Sequence, residues 1–160
     1  RSIDTNFCIE KALECELQGA DIIDLGAESS RPGSCYVSAE EEIDRLIPVI
    51  EGIRKHSSIP ISVDTRKNQV LKSVLASGAD ILNDISALED DEEIGRTAAQ
   101  SDIPVILMHK RGSPQTMQKN TVYADVISEV SAYFQNRITY ALSCGIKREK
   151  IILEEYKTNL

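Results

Sequence analysis

Short apolar runs bounded by turn residues alternate along this chain with longer stretches of helical periodicity. Ile22–Leu25, Ile59–Thr65, Asp80–Asp84, Ile103–His109 and Ile151–Leu153 are too short for helices and read as buried strands. Between them lie amphipathic segments. Asp4 or Thr5 caps a first helix whose face is Phe7, Ala12, Leu13 and Leu17, with Gly19 as its stop. Cys8 and Cys15 lie seven residues apart, share a face of that helix, and pack as small hydrophobes. Ser38-Ala39-Glu40-Glu41 has capping-box spacing and opens a second helix with an apolar face of Ile43, Leu46, Ile47, Ile50 and Ile53. Pro48 falls inside it and is predicted to kink or divide it. A third helix runs from about Lys67 to Ser77 and closes at Gly78; the acidic run Glu89–Glu93 opens a fourth, where negative charge suits the helix dipole. The fifth runs from about Thr121 to Ser143 and ends at Gly145.

Strict alternation of strand and helix argues for parallel strands joined by right-handed crossovers. The chain also repeats itself. Gly19-Ala20-Asp21-Ile22-Ile23-Asp24 returns as Gly78-Ala79-Asp80-Ile81-Leu82-Asn83-Asp84, and Ile59–Asp64 returns loosely as Ile103–Met108. Two strand types thus alternate, which fits a (β/α) barrel better than an open sheet. No Gly-x-Gly-x-x-Gly follows a strand and no Gly-Lys-Ser/Thr is present, so a dinucleotide fold and a P-loop are disfavoured.

Composition narrows the function classes. A net charge of −8, with 4% aromatic residues and no Trp, disfavours nucleic acid as a partner. No apolar run approaches a membrane span. Cys8, Cys15, Cys35 and Cys144 have no zinc or redox spacing and read as free thiols of a reducing, cytoplasmic setting. At 160 residues the expectation is a single partial domain over residues 1–160, a piece of a longer protein, and inactive alone because an unclosed barrel exposes sheet edges.

The strands end in Asp24, Asp64, Asn83-Asp84, Met108-His109 and Glu154. In a parallel barrel those ends meet on the face that carries active sites. Side chains two apart share a face, so Ile22 with Asp24, Ser62 with Asp64, Ile81 with Asn83, and Ile106 with Met108 are predicted to point inward. They describe an apolar floor with an acceptor-rich rim, suited to a flat heterocycle bearing several N–H donors. His109 falls off this face and reads as structural. The loop Glu28-Ser29-Ser30-Arg31-Pro32-Gly33, taken alone, fits a solvated turn and an anion-binding loop equally well. No zinc set, nucleophile elbow or reactive-cysteine signature appears.

Four ordered blocks resemble the dihydropteroate synthase family: Ile23 to Gly33, Ser62 to Thr65, Leu82 to Asp84, and Leu107 to Gly112 followed by Pro114 and Thr116 to Gln118. The resemblance implies an α/β fold, a (β/α)8 TIM barrel of which about five β/α units are present, and condensation of 6-hydroxymethyl-7,8-dihydropterin pyrophosphate with p-aminobenzoate, giving 7,8-dihydropteroate and pyrophosphate in folate biosynthesis. It further implies that Asp64, Asn83 and Met108 line a pterin pocket with Asp24 at its base. Ser30 and Arg31 would close over the pyrophosphate and p-aminobenzoate as the catalytic pair. It also implies Mg²⁺ with its ligand outside this chain, sulfonamides as inhibitors, and a homodimer.

Ala27 stands where the family has a second Gly and Ser30 where it has Thr, both small changes. After Leu153 the chain departs from the family's Asp-Pro-Gly-x-Gly-Phe-Gly segment. Two other readings stand beside the synthase: a pterin- or methyltetrahydrofolate-binding barrel of a folate-dependent methyltransferase, and a structural or regulatory barrel with a dead site. Ser29-Ser30-Arg31-Pro32 and Lys110-Arg111-Gly112 match the synthase better than the methyltransferase.

Overall fold

The computed structural model describes residues 4–29, 36–109 and 126–155. Within them five helices and five strands alternate: α1 (Thr5–Leu17), β1 (Ile23–Gly26), α2 (Ala39–Arg54), β2 (Ile61–Asp64), α3 (Asn68–Ala76), β3 (Ile81–Asp84), α4 (Ile94–Gln100), β4 (Val105–His109), α5 (Val126–Ser143) and β5 (Ile151–Glu155). The strands form one sheet in the order β1-β2-β3-β4-β5, every pair parallel. An unreversed order means that each right-handed crossover lays its helix on the same side. The helices pack α1 on α2, α2 on α3 and α3 on α4, while α5 lies on β4 and β5. One face of the sheet is therefore covered, and the other, a barrel's interior, is left to the site. β1 and β5 are the edges of the described sheet.

The covered face carries the core. Ile61 and Val63 of β2, Leu82 of β3, and Val105 and Leu107 of β4 are fully buried against Ile50 and Ile53 of α2, Val70, Leu71 and Val74 of α3, and Ile94 of α4. The repeat noticed in the sequence is a helix stop feeding a strand. Gly19 and Gly78 have φ of +99° and +107°, and the next residue's amide reaches back five residues, Ala20 to Cys15 and Ala79 to Val74. Glycine reaches this left-handed cap without a Cβ clash.

Several expectations are corrected. Phe7 and Leu17 are 64% and 88% exposed; α1 packs instead through Cys8, Ile9, Ala12 and Cys15. Cys8 and Cys15 pack as small hydrophobes, as predicted, and Ile9 lies against Gly52 of α2. Pro48 does not divide α2, which runs unbroken from Ala39 to Arg54. The proline is exposed, so the carbonyl it leaves unpaired is on the solvent side. The acidic run Glu89–Glu93 precedes α4 rather than forming its first turn: Asp91 Oδ2 accepts the Asn68 amide at 2.8 Å and Asp90 pairs with Arg66 at 2.6 Å. The predicted start of the fifth helix, 121–125, lies outside the described residues. Asp4 and Ser38 cap α1 and α2 as expected, accepting from Asn6 and Phe7 and from Glu41 respectively.

Candidate functional site

Strand register assembles the inner face row by row. Asp24 lies beside Ser62, which lies beside Ile81. One step nearer the C-terminal ends, Gly26, Asp64, Asn83, Ile106 and Ile152 form the next row. Met108 and Glu154 are paired one step beyond. Alternation along each strand sends these side chains away from the helices. Ser62, Ile81 and Met108 are buried, Asp64 and Asn83 are half-buried, and Asp24 is exposed. An acceptor-lined mouth results, but the row beneath it mixes polar Asp24 and Ser62 with apolar Ile81, and Ile22, predicted to point inward on an apolar floor, precedes β1 and is 46% exposed.

Three of the predicted site residues converge. Asn83 Nδ2 approaches the two Asp24 carboxylate oxygens at 3.4 and 3.5 Å, at the long end of hydrogen bonding. Asp64 pairs with Asn83 in register. Burial, together with the negative charges of Asp24, Asp84, Glu42 and Glu154, pushes the Asp64 carboxyl up to about 7. That carboxyl is poised between its two protonation states near neutrality, and a ligand bringing N–H donors would favour the ionised one. Asn83 Oδ1 and Ser62 Oγ are buried with no hydrogen-bond partner among the described residues, so the face still has polar capacity to fill. Gly26 leaves room beside Asp64: a Cβ there would come within 3.5 Å of the Asp64 Cβ.

Met108 lies on the same inner face, 6% exposed. Ser30 and Arg31 lie outside the described residues. Asp84 and His109 face the other way, among the helices. Asp84 is fully buried and accepts from the Ser86 amide and hydroxyl at 2.7 Å and from the Leu88 amide at 2.9 Å. It braces a turn in which Ala87 and Leu88 adopt φ of +52° and +66°. His109 packs edge-on against Tyr133 at 4.9 Å, off the inner face as its place in the strand predicts.

Sequence reasoning missed an ion-pair network beside the mouth. Glu28 pairs with Arg66 at 3.0 Å and with Lys67 at 2.6 Å; Lys67 also pairs with Glu42, whose other oxygen accepts from Thr65 Oγ1 at 2.9 Å. Burial pulls the Lys67 ammonium down, but hydrogen bonds and charge from Glu28 and Glu42 outweigh it and the net direction is up. Burial pushes Glu42 up as well. The lysine's direction is the one the geometry supports, because several oxygens surround one ammonium. A legible signal existed: Glu42 stands in the stripe Glu42, Leu46, Val49, Ile53, a carboxylate where helical spacing calls for an apolar side chain.

The sequence profile of the family described as pterin binding enzyme matches residues 2–155. The chain belongs to that family. Over 136 residues it is 46% identical to the dihydropteroate synthase of Synechocystis sp., covering 85% of this chain and 47% of that protein. The crystal structure of Yersinia pestis dihydropteroate synthase with a sulfonamide drug superposes with a TM-score of 0.92 at 34% identity, covering 96% of this chain and 55% of that one. A Clostridium difficile dihydropteroate synthase structure, obtained in the presence of pteroic acid, superposes with a TM-score of 0.84 at 38% identity, covering 93% of this chain and 54% of that one. The chain spans about half the length of the curated relatives it matches. Its sheet is an arc of the TIM barrel of this pterin-binding family, five consecutive β/α units in the order the sequence predicts.

Proposed function

We propose that these residues belong to a dihydropteroate synthase that joins a dihydropterin methyl pyrophosphate to p-aminobenzoate. The observation that carries this reading is the convergence of Asp64, Asn83 and Asp24 at the strand ends. A dihydropterin ring presents an edge of N–H donors, and this mouth presents carboxylate and amide oxygens to receive it. The buried Met108 and the half-buried Ile106 give the ring apolar walls. The names of the relatives agree with this chemistry.

In the reaction the bond between the pterin methylene carbon and the pyrophosphate oxygen breaks, and pyrophosphate leaves with the electron pair. The aniline nitrogen of p-aminobenzoate then forms the C–N bond and releases a proton. The carboxylates stabilise electron deficiency as it spreads from the methylene carbon into the ring, which is preorganised electrostatics without a covalent intermediate. Arg31 offers a planar pair of donors to pyrophosphate or to the p-aminobenzoate carboxylate, and Ser30 a hydroxyl beside it. Magnesium would screen the leaving pyrophosphate. Among the described residues no group of three or more His, Cys, Asp or Glu is placed to hold a metal ion. The reading includes sulfonamides as mimics of p-aminobenzoate, a homodimer, and a cytoplasmic setting; no helix among the described residues is long and apolar enough to cross a membrane.

Calorimetric titration of the full-length protein with a sulfonamide tests this. Binding that requires added pyrophosphate is the expected result. Tight binding of methyltetrahydrofolate, with no response to sulfonamide plus pyrophosphate, would overturn it.

A further inference from the structure

The Lys67 ammonium sits where both ends of the β1–α2 connection meet the end of β2. It donates to Glu28 Oε2 at 2.6 Å on one side of that connection and to the Val37 carbonyl at 2.7 Å on the other. The Tyr36 ring lies 4.6 Å from it, and Glu42 completes its shell. Its side chain is 13% exposed and that of Glu42 only 1%. Glu42 ties the assembly to Thr65, the residue after Asp64. A cavity of about 20 Å³ lined by Glu28, Glu42, Asp64 and Thr65, among others, adjoins both the network and the Asp64 carboxyl.

Burying an ammonium and two carboxylates costs desolvation that their attraction only partly returns, and well-packed apolar side chains of equal volume usually stabilise as well or better. Stability alone is a weak reason for such a set; fixing geometry is a stronger one. We propose that Lys67 is a positioning residue. By holding Glu28 and Val37 to one point, it sets the separation of the two stems between which Ser30 and Arg31 are carried, and ties that separation to the strand end bearing Asp64. The inference rests on the synthase reading of Ser30 and Arg31.

A double-mutant cycle in the full-length protein tests it, with Lys67→Met and Arg31→Ala singly and together. Lys67→Met is expected to lower kcat/KM for p-aminobenzoate by about 10- to 100-fold, while the Kd of a pterin lacking the pyrophosphate stays within about threefold. In the Arg31→Ala background the same change should cost at least about threefold less than in the parent protein, since one of the two side chains that Lys67 positions is already gone. Equal factors in both backgrounds would overturn the inference, as would unchanged kcat/KM in Lys67→Met. The synthase reading fails separately: Arg31→Ala with undiminished turnover sinks the role of the loop, and the inference with it. If Lys67→Met does not accumulate as folded protein, Glu28→Gln takes its place in the cycle with the same two readings.

Discussion

Asp64→Asn separates what the site is built for from what holds the protein together. Burial and neighbouring carboxylates raise Asp64 from the ordinary value of 3.8 to about 7. At 1.36 kcal/mol per pH unit, that rise is a penalty of ~4 kcal/mol on the ionised form. The sign follows from proton linkage. Between pH 3.8 and about 7 the folded protein keeps a proton that the unfolded chain has released, so stability falls as pH rises through that window. Below it the carboxyl is protonated in both states and no penalty exists. Asparagine carries no charge and removes the penalty. Residual water at the half-buried carboxyl discounts the full figure, and the expected gain for Asp64→Asn is about 2–4 kcal/mol at pH 8.5, shrinking to about zero near pH 3.5. Urea unfolding of the full-length protein and the variant at both pH values measures this difference. Function should move the other way. Replacing a charged acceptor with an amide costs about 1.5–3 kcal/mol of pterin binding, a roughly 10- to 150-fold loss by calorimetry. A stability difference that is the same at both pH values, or an asparagine variant less stable at pH 8.5, would refute the reasoning.

Other expectations follow from single contacts. Asn83→Ala should weaken pterin binding about tenfold yet change unfolding free energy by less than about 1 kcal/mol, because its Oδ1 has no partner among the described residues and its bonds to Asp24 are long; calorimetry and urea unfolding read the two effects. Asp84→Ala should cost about 3 kcal/mol or more in urea, since it frees three buried donors and the left-handed turn at Ala87 and Leu88. Gly52→Ala should cost about 1–3 kcal/mol, because the added Cβ would overlap the Ile9 side chain, including Cγ1 at 2.8 Å; Ile9→Ala in the same protein should recover part of the loss in a thermal melt.

Much of the architecture is legible in the sequence because each strand is a short apolar run and the helix stops at Gly19, Gly78 and Gly145 sit at left-handed caps that glycine favours. The inner face is legible for the same kind of reason: a two-residue period places Asp24, Asp64, Asn83 and Met108 together without any knowledge of contacts. Other features depend on packing that no local pattern encodes. Which face of α1 is buried turns on where α2 meets it: Ile9 lies against Gly52, and Cys8, Ala12 and Cys15 go inside with it while Phe7 and Leu17 stay out. The acids of residues 89–93 have two uses open to them locally, dipole compensation and long-range pairing. Arg66 and the Asn68 amide, more than twenty positions away, decide for the second. The Lys67 cluster joins residues from three separate stretches, and only Glu42, a charge in a buried stripe, hints at it.

Turnover by the full-length protein is the most direct measurement of the central claim. Supplied with 6-hydroxymethyl-7,8-dihydropterin pyrophosphate and p-aminobenzoate, it should release dihydropteroate and pyrophosphate in equal amounts by mass spectrometry and a coupled phosphate assay, with Asp64→Asn strongly impaired. Absence of dihydropteroate from folded, pterin-binding protein, or full turnover by Asp64→Asn, would contradict the account.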